Sequence, residues 1–354
     1  MLRRLDPCPL FQARRNLTLT VSGKQVRWEQ LVYNAAAVRL QGVTYVLYRA
    51  LGDDGVSRLG LWWSKDGITQ SGRLDHPVFA PEIPYEMPPD PDGRRTEQLE
   101  KFGMIRELGG VEDPRLVLVD GTLYMTYTAY SDIPRLAMAH MEADRFCAMA
   151  QNENGYSLWK SQWKRIGVVF AGHEDKNGYL LPEKHKGQWC LYHRIAPNIQ
   201  LVSFDQLLFP VENTGATVMR PRTNGWDSTK IGGGAPPLKT EAGWLHVYHG
   251  VQTIAGRPRY CLGVYLTPLH DPYTVIYRSE SPLLWPQREF EEKGWVPNVV
   301  FTCGAVPTTK DTNSTLTLGD KIMVYYGGAD EVMCCAGATV GQLLKRASRG
   351  SRGS

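Results

Sequence analysis

Apolar and polar positions alternate with a period of two along most of this chain, and helical periodicity is nearly absent, which predicts strands. One alternating segment recurs five times: a glycine-centred turn is followed by a short aromatic strand that ends in tyrosine. The terminal residues are Tyr48, Tyr127, Tyr192, Tyr248 and Tyr326. Their spacings of 79, 65, 56 and 78 residues suit one four-stranded sheet with its loops and exceed those of solenoid repeats. The pattern predicts an all-β fold, a five-bladed β-propeller with its active site on the central axis.

A second short segment, rich in Gly, Ala and Pro, precedes each aromatic strand. These segments span residues 33–40, 111–119, 178–183, 233–238 and 301–306. Small residues suit a crowded axis, so we interpret these segments as the innermost strands. The blades are expected near residues 30–70, 110–145, 175–210, 230–275 and 300–342. Residues 1–342 would then form one catalytic domain, and the basic segment 343–354 a disordered tail.

Two segments break the strand pattern. Residues 80–109 contain five prolines and cannot form regular sheet, so this segment is interpreted as a lid or a linker. Residues 141–162 fit either a short helix or a long hairpin insert.

Composition excludes several classes of function. The chain has 354 residues and a net charge of +4 without any run of five like charges, which argues against a nucleic-acid partner. No apolar stretch approaches 18 residues and no signal region is present at the start, so we expect no membrane partner and a cytoplasmic location. The seven cysteines are odd in number and several lie in apolar strand patterns, as expected for reduced core residues. The eight histidines lack metal-ligand spacing, so no metal or other cofactor is expected.

The chemically most informative motif is Gly109-Gly-Val-Glu112-Asp113-Pro114-Arg115. Neighbouring residues on a strand face opposite sides, so only one of Glu112 and Asp113 is expected to enter the pocket. Arg115 would clamp the other carboxylate. Removal from water would favour the neutral form of Asp113, which suits a general acid. A salt-bridged turn without a catalytic role fits the same residues.

Further polar residues stand at positions that a propeller turns toward one mouth. They are Asn34, Arg49, Arg135, Lys176, His193, Arg194, Tyr248, His249 and Asp330. Three of them, Arg135, Lys176 and Arg194, would together give a positive cluster that attracts an anion such as phosphate.

Six segments resemble the signature segments of glycoside hydrolase family 130, whose members are mostly β-mannoside phosphorylases on a five-bladed propeller. The segments are Gly110–Leu116, Tyr124–Tyr130, Lys176–Lys184, Gly243–Gly250, Asn298–Gly304 and Tyr325–Asp330. The resemblance covers residues 30–342 in order, and it is the combination of motifs that is specific.

The resemblance implies an inverting phosphorolysis that converts a β-mannoside and inorganic phosphate into α-mannose 1-phosphate. It makes Asp113 the proton donor, acting directly or through a hydroxyl of the bound mannose. It assigns the mannosyl unit to Asn34, Arg49, Tyr248 and Asp330. It assigns phosphate, a co-substrate rather than a cofactor, to Arg135, Lys176 and Arg194, with Lys184 and His193 as nearby substitutes.

The balance of charges agrees with this reading. An inverting hydrolase needs a second carboxylate to activate water, whereas a phosphorylase needs a positive site for phosphate. One catalytic carboxylate with three cations favours phosphate. A β-mannosidase that uses Glu112 as base and a non-catalytic sugar-binding propeller stay open as alternatives. The expected partners are a manno-oligosaccharide and phosphate, and a homo-oligomer is left open.

Overall fold

Antiparallel sheets recur along the chain at the spacing of the sequence repeat. The computed structural model describes residues 1–88, 107–152 and 155–347. The strands before the first blade are β1 (Arg3–Arg4), β2 (Thr18–Val21) and β3 (Lys24–Arg27). Blade 1 contains β4 (Leu31–Leu40), β5 (Val43–Leu51), β6 (Val56–Ser64) and β7 (Gly72–Arg73). Blade 2 contains β8 (Gly109–Val119), β9 (Thr122–Tyr130), β10 (Pro134–Glu142) and β11 (Lys164–Val168).

The remaining three blades follow in chain order. Blade 3 contains β12 (Lys176–Leu180), β13 (Trp189–Ile195), β14 (Asn198–Phe204) and β15 (Ala216–Met219). Blade 4 contains β16 (Lys230–Gly233), β17 (Leu238–Thr240), β18 (Gly243–Ile254), β19 (Arg257–Thr267) and β20 (Tyr277–Arg278). Blade 5 contains β21 (Val300–Pro307), β22 (Lys321–Gly328) and β23 (Val332–Thr339). The predicted five-bladed propeller is confirmed, and the predicted innermost segments lie in or beside β4, β8, β12, β16 and β21.

The first strand of the chain completes the last blade. Strand β1 pairs with β23 in antiparallel register, with Arg3 opposite Gly337 and Arg4 opposite Ala336. Blade 5 therefore becomes four-stranded only when both ends of the described chain meet in one sheet. The innermost strand β4 contacts both β8 and β21, and β12 contacts β8 and β16, which places the innermost strands side by side around the axis.

The two predicted interruptions have different outcomes. Within 141–162 the chain forms helices α1 (Ala143–Ala150) and α2 (Tyr156–Gln162), which agrees with the helical alternative. Of the segment 80–109, a 3₁₀-helix covers Pro84–Glu86, while residues 89–106 lie outside the described residues. Helix α3 spans Glu289–Glu292, and α4 spans Val340–Ala347. The predicted disordered tail 343–354 therefore begins inside α4, and its residues 348–354 lie outside the described part. None of the helices in the described ranges is both long and apolar enough to cross a bilayer.

The same kind of buried hydrogen-bonded pair occurs in every blade and explains the recurring aromatic residue. Within the second strand of each blade, a tyrosine or histidine binds a carboxylate that precedes the innermost strand. The pairs are Tyr48–Glu29 at 2.7 Å, Tyr127–Glu86 at 2.6 Å, His193–Asp175 at 2.5 Å, Tyr248–Asp227 at 2.8 Å and Tyr326–Glu291 at 2.8 Å. In four blades an arginine of the outermost strand binds the same carboxylate. These arginines are Arg73, Arg165, Arg278 and Arg4.

The buried pairs join the layers of each blade. All five carboxylates are almost or completely inaccessible to solvent, and a buried carboxylate is stable only when it is paired and hydrogen-bonded. In blade 3 the residue that forms the buried pair lies one position after the tyrosine of the sequence repeat. Its pair uses His193, whereas the Tyr192 hydroxyl donates to the carbonyl of Pro272 at 2.5 Å.

Candidate active site

Three innermost strands carry an irregularity at their start, near the axis. The backbone of Asn34, Asp113 and Asn177 is left-handed, with φ of 48°, 46° and 59°. At each position the register against the second strand shifts. Asn and Asp tolerate this conformation better than other non-glycine residues, and such bulges redirect side chains next to active sites.

Asp113 lies at the centre of a buried polar cluster. Its Oδ1 accepts a hydrogen bond from Asn34 Nδ2 at 3.0 Å and from Arg49 Nη1 at 3.2 Å. Burial raises the pKa of Asp113, but the charges of Arg49, Arg115 and Lys176 outweigh it, so the pKa lies below its ordinary value. The expectation that burial keeps this acid neutral is therefore wrong, because the surrounding cations favour the ionised form of Asp113.

Glu112 also contributes to this cluster, which corrects the expectation that only one carboxylate enters the pocket. Glu112 is fully buried, with Oε1 3.0 Å from Arg49 Nη2 and Oε2 3.6 Å from Lys176 Nζ. Arg49 therefore pairs with Glu112 and Asp113 together, and it also contacts Glu107. The bulge at Asp113 breaks the strict alternation of a strand, so consecutive side chains reach the same cation.

Arg115 has a different role from the predicted clamp on a carboxylate. Its guanidinium donates to the carbonyls of Asp113 at 2.8 Å, Gly233 at 3.0 Å and Gly234 at 3.0 Å. It also donates to Asn177 Oδ1 at 3.2 Å. Arg115 thus joins blades 2, 3 and 4 at the axis and leaves a buried positive charge there.

Asp330 supplies a third acidic group, from the turn between β22 and β23. Its backbone is left-handed, with φ of 53°. Burial, together with the nearby charges of Asp113 and Glu112, raises the pKa of Asp330 to about 7. Asp330 is thus partly protonated at neutral pH while Asp113 is ionised.

Positive and ring-nitrogen groups line the pocket beside these acids. Lys176 and Arg194 lie directly opposite each other on β12 and β13. Within the described residues, Arg194 Nε and both ring nitrogens of His249 are buried without a hydrogen-bond partner. Burial and then the charge of Arg194 lower the pKa of His249 well below its ordinary value, so its ring is neutral. Lys230 lies 5.5 Å from the ring centre of Tyr260, beside this group. We call Lys176, Arg194, Lys230 and His249 the basic cluster.

A positional rule connects these residues to the buried pairs of the fold. The residue that follows the tyrosine or histidine of a pair faces the axis, because successive side chains on a strand alternate. These residues are Arg49 after Tyr48, Thr128 after Tyr127, Arg194 after His193, His249 after Tyr248 and Gly327 after Tyr326. At Gly327 a Cβ would lie only 2.6 Å from Asn34 Oδ1. Glycine there leaves room for Asn34.

Comparisons with known proteins identify the family of the chain. The family model described as beta-1,4-mannooligosaccharide phosphorylase, of glycoside hydrolase family 130, matches residues 2–349. The chain belongs to glycoside hydrolase family 130. The resemblance stated from the motifs, and with it a glycosyltransferase-type phosphorylase family, is confirmed.

Two relatives and one solved structure show how far the likeness extends. The chain is 36% identical over 315 residues to a 1,2-beta-oligomannan phosphorylase of Thermoanaerobacter sp. (strain X514), covering 86% of this chain and 89% of that protein. It is 33% identical over 321 residues to a beta-1,2-mannobiose phosphorylase of the same organism, covering 87% and 90%. The structure of a beta-1,2-mannobiose phosphorylase from Listeria innocua superposes with a TM-score of 0.73 at 21% identity, covering 98% of this chain and 99% of that one. This last likeness shows the fold.

Six of the residues predicted for a family 130 site are brought together at the axis. They are Asn34, Arg49, Asp113, Lys176, Arg194 and Asp330. Their individual roles stay predictions. Lys184, named as a substitute, lies 4.7 Å from the ring of Trp189 and takes no part in the cluster.

His193 is placed away from the basic cluster. Its side chain is fully buried, with Nδ1 2.5 Å from Asp175 Oδ2 and Nε2 2.9 Å from the Thr214 carbonyl. Both ring nitrogens are engaged, so this histidine has no free group for phosphate. Its neighbour Arg194 faces the axis instead.

Tyr248 is likewise part of a buried pair rather than the pocket. Its hydroxyl donates to Asp227 and accepts from Arg278 Nε at 3.0 Å. The next residue, His249, occupies the axis-facing position predicted for Tyr248. The signal that identifies His249 is its place one residue after Tyr248, the paired tyrosine of β18.

Arg135 is the second residue of β10, outside the basic cluster. Its guanidinium donates to both carboxylate oxygens of Asp132, at 2.6 and 3.2 Å, and to the Ser131 hydroxyl at 3.1 Å. A guanidinium already bound on two sides to a carboxylate is a poor phosphate ligand. The predicted phosphate role of Arg135 is not supported by this position.

The raised pKa of Asp330 makes a prediction about stability. Between about pH 4 and pH 7 the folded protein binds more protons at this site than the unfolded chain, so stability falls as pH rises. Since one pKa unit is worth about 1.4 kcal/mol and the residue is partly exposed, we expect Asp330→Asn to stabilise the fold by about 1–3 kcal/mol near pH 8. Urea unfolding near pH 4.5 should show little of this gain.

The exposed residue Asp205 provides a control. Asp205→Asn should shift stability by less than about 0.5 kcal/mol at either pH. A gain from Asp330→Asn that is equal at both pH values would contradict the assigned titration.

Proposed function

We propose that this protein is an inverting phosphorylase that cleaves the terminal β-mannosidic bond of a manno-oligosaccharide with inorganic phosphate. The products are α-mannose 1-phosphate and an oligosaccharide shortened by one unit. The observation that supports this most is the meeting of one central acid, Asp113, with Lys176 and Arg194 on directly opposed strands. The family and the names of the relatives point to the same reaction.

In the proposed reaction, a phosphate oxygen attacks the anomeric carbon of the mannosyl unit from the face opposite the leaving oxygen. The bond from that carbon to the glycosidic oxygen breaks, and its electron pair stays on the oxygen. Asp113 delivers a proton to this oxygen, either directly or through a mannose hydroxyl. A single displacement inverts the configuration from β to α.

Phosphate binding would itself prepare Asp113 for proton transfer. In the unliganded protein the cations around Asp113 keep its pKa below the ordinary value. A phosphate dianion on Lys176 and Arg194 neutralises part of that charge and adds a negative charge close by, and both effects raise the pKa of a carboxyl. Proton donation then becomes dependent on the presence of the second substrate.

The remaining axial groups fit a role in holding the mannosyl unit. Asn34, Arg49 and Asp330 surround Asp113 and present amide, guanidinium and carboxyl groups that can bond sugar hydroxyls. The unpartnered ring nitrogens of His249 and Nε of Arg194 supply further polar contacts on the phosphate side. Buried polar atoms without partners are expected where a polar ligand completes the site.

Hydrolysis is less well supported by the same geometry. Both oxygens of Glu112, the alternative base, face cations, Arg49 on one side and Lys176 on the other. A carboxylate whose two oxygens both adjoin cations is engaged in charge pairs rather than in positioning a water molecule. Phosphate in the basic cluster needs no such base.

The proposal is tested by incubating the protein with β-1,2-, β-1,3- and β-1,4-mannobiose, each with and without phosphate. We expect mannose 1-phosphate, detected as the α anomer by ³¹P and ¹H NMR, only when phosphate is present. The β-1,2 substrate is expected to react best, because both curated relatives are named for that linkage. Release of free mannose at equal rates in phosphate-free buffer would establish a hydrolase instead. Binding without turnover of any substrate would leave a sugar-binding protein.

A further inference from the structure

Two cysteine side chains from opposite ends of the chain meet in blade 5. Cys8 is half-buried and lies in the segment that follows β1, whereas Cys334 is completely buried on β23. Their thiols are hydrogen-bonded to each other. More than 300 residues separate the two in the sequence. A covalent bond between them would therefore join the two ends of the propeller.

The backbone on both sides of Cys8 fixes its place over Cys334. The amides of Leu5 and Leu10 donate to the carbonyls of the two residues that flank Cys334, at 2.9 and 2.7 Å. Tyr326 lies directly opposite Cys334 on β22, and its hydroxyl is 3.9 Å from Cys8 Sγ. Three separate contacts thus hold the two cysteines side by side in the folded protein.

The environment makes the two thiols chemically different. The hydrogen bond from Cys334 lowers the pKa of Cys8 to about 7, although burial opposes this effect. Burial and the same hydrogen bond raise the pKa of Cys334 well above its ordinary value. Cys8 is therefore the thiol that ionises first, and it is also the one that solvent reaches. Thiolates, rather than thiols, attack oxidants and disulfides.

The segment that carries Cys8 is held to blade 5 by a short strand. Strand β1 contains only Arg3 and Arg4, and its ladder to β23 is supplemented by the ion pair of Arg4 with Glu291. Chain ends with so few contacts open more easily than the core of a domain. A covalent bond at this point would keep blade 5 four-stranded when the strand pairing opens.

We propose that Cys8 and Cys334 form a reversible disulfide when the protein meets a peroxide, and that this bond fixes β1 on blade 5. The proposal concerns the closure of the propeller and is independent of the reaction at the axis. A link between distant residues restricts the unfolded chain far more than the folded one, so it stabilises the fold.

The proposed oxidation balances with hydrogen peroxide as the oxidant. The thiolate of Cys8 attacks one peroxide oxygen, the O–O bond breaks, and the hydroxide released takes up a proton to become water. This leaves a sulfenic acid on Cys8. The sulfur of Cys334 then attacks the sulfur of Cys8, the S–O bond breaks, and the departing hydroxide leaves as water with the proton of Cys334. Two thiols are oxidised and one peroxide is reduced, and thiol–disulfide exchange with a small thiol reverses the link.

The test starts from the full chain with all cysteines reduced. After treatment with hydrogen peroxide and alkylation of the remaining thiols, mass spectrometry of a digest should identify a peptide pair that joins Cys8 to Cys334. The thermal midpoint should rise by about 3–8 °C and return to its starting value with dithiothreitol. Hydrogen exchange at the amides of Leu5 and Leu10 should slow by about tenfold or more in the oxidised protein.

Three variants make the test specific. Cys8→Ser changes a half-buried position and should abolish the link, the thermal shift and the slower exchange, and Cys334→Ala should do the same. The matched control is Cys335→Ala, which removes the adjacent buried cysteine. Its side chain packs in a different hydrophobic cluster from that of Cys334, on the other face of β23. Cys335→Ala should form the link and show the same shift as the wild type.

Three results would overturn the proposal. The first is oxidation of Cys8 to a sulfinic acid with no linked peptide. The second is a link that joins Cys8 to Cys335 and persists in Cys334→Ala. The third is a linked protein whose thermal midpoint and amide exchange equal those of the reduced protein, since the bond would then leave the attachment of β1 unchanged.

Discussion

Replacing Asp113 with asparagine is expected to lower the kcat of mannoside phosphorolysis by about 10²–10⁴-fold, the usual loss when general-acid help is removed. Asparagine keeps the shape of the side chain and can still accept the hydrogen bonds of Asn34 and Arg49 at one oxygen. It cannot donate a carboxyl proton to the leaving oxygen. Steady-state kinetics with β-1,2-mannobiose and phosphate would measure the loss.

Two further measurements make this result specific. The substrate affinity of Asp113→Asn, measured by calorimetry, should change far less than kcat, because the variant retains the pocket. Asp205→Asn, at an exposed position on another face, should have wild-type kinetics. Retention of full activity in Asp113→Asn would mean that another acid, with Asp330 the nearest in chemistry, supplies the proton.

Replacing Arg194 with alanine is expected to raise the KM for phosphate by about 10–100-fold, because a charge-assisted hydrogen bond contributes roughly 1.5–3 kcal/mol. The physical basis is the buried, unpartnered Nε of Arg194 and its position opposite Lys176. The KM for the mannoside should change little, since the proposed function assigns this side chain to phosphate. Initial rates over a matrix of both substrate concentrations would separate the two effects.

The conservative variant sharpens this prediction. Arg194→Lys keeps the positive charge but loses the planar pair of donors, so the KM for phosphate should rise by an intermediate factor. Arg145, on the exposed face of α1, offers a control, and Arg145→Ala should behave as the wild type. If Arg194→Ala raised the KM for the mannoside and spared that for phosphate, the orientation of the two substrates in the pocket would be reversed.

Much of the fold was predictable because a propeller repeats. The second strand of each blade contains one buried tyrosine or histidine that binds a buried carboxylate. This residue therefore recurs once per blade in the sequence, and the number of repeats predicts the number of blades. The innermost strands were predictable for a similar reason, since crowding at an axis selects small residues. The closure of blade 5 by β1 was not predictable in this way, because two residues carry too little pattern to reveal a partner more than 300 residues away.

The candidate site was predictable where a residue could be identified by its type and its place in the sequence. It was less predictable where the outcome depended on which side of a strand a residue faces. Asp113 and Asp330 were predicted from their motifs, and Asn34 and Arg49 from their positions on the first blade together with the family resemblance. His193 was predicted beside Arg194, and Tyr248 was preferred over its neighbour His249, yet the structure places His193 and Tyr248 in buried pairs. A shift of one residue on a strand reverses the side to which a side chain points. The sequence alone does not show which of two neighbouring residues on such a strand faces the axis.

The sequence by itself determined the number of blades, the family and the central acid, because each depends on a repeated or local pattern. Only the tertiary structure decided which face each side chain occupies, which charges meet and what protonation they impose. Glu112 and Asp113 share Arg49 because a left-handed bulge interrupts the alternation of β8. The opposite pKa directions of Asp113 and Asp330 arise because cations surround the first, while burial and neighbouring carboxylates dominate the second. Such effects depend on distances between residues far apart in the chain, and these distances exist only once the blades have closed around the axis.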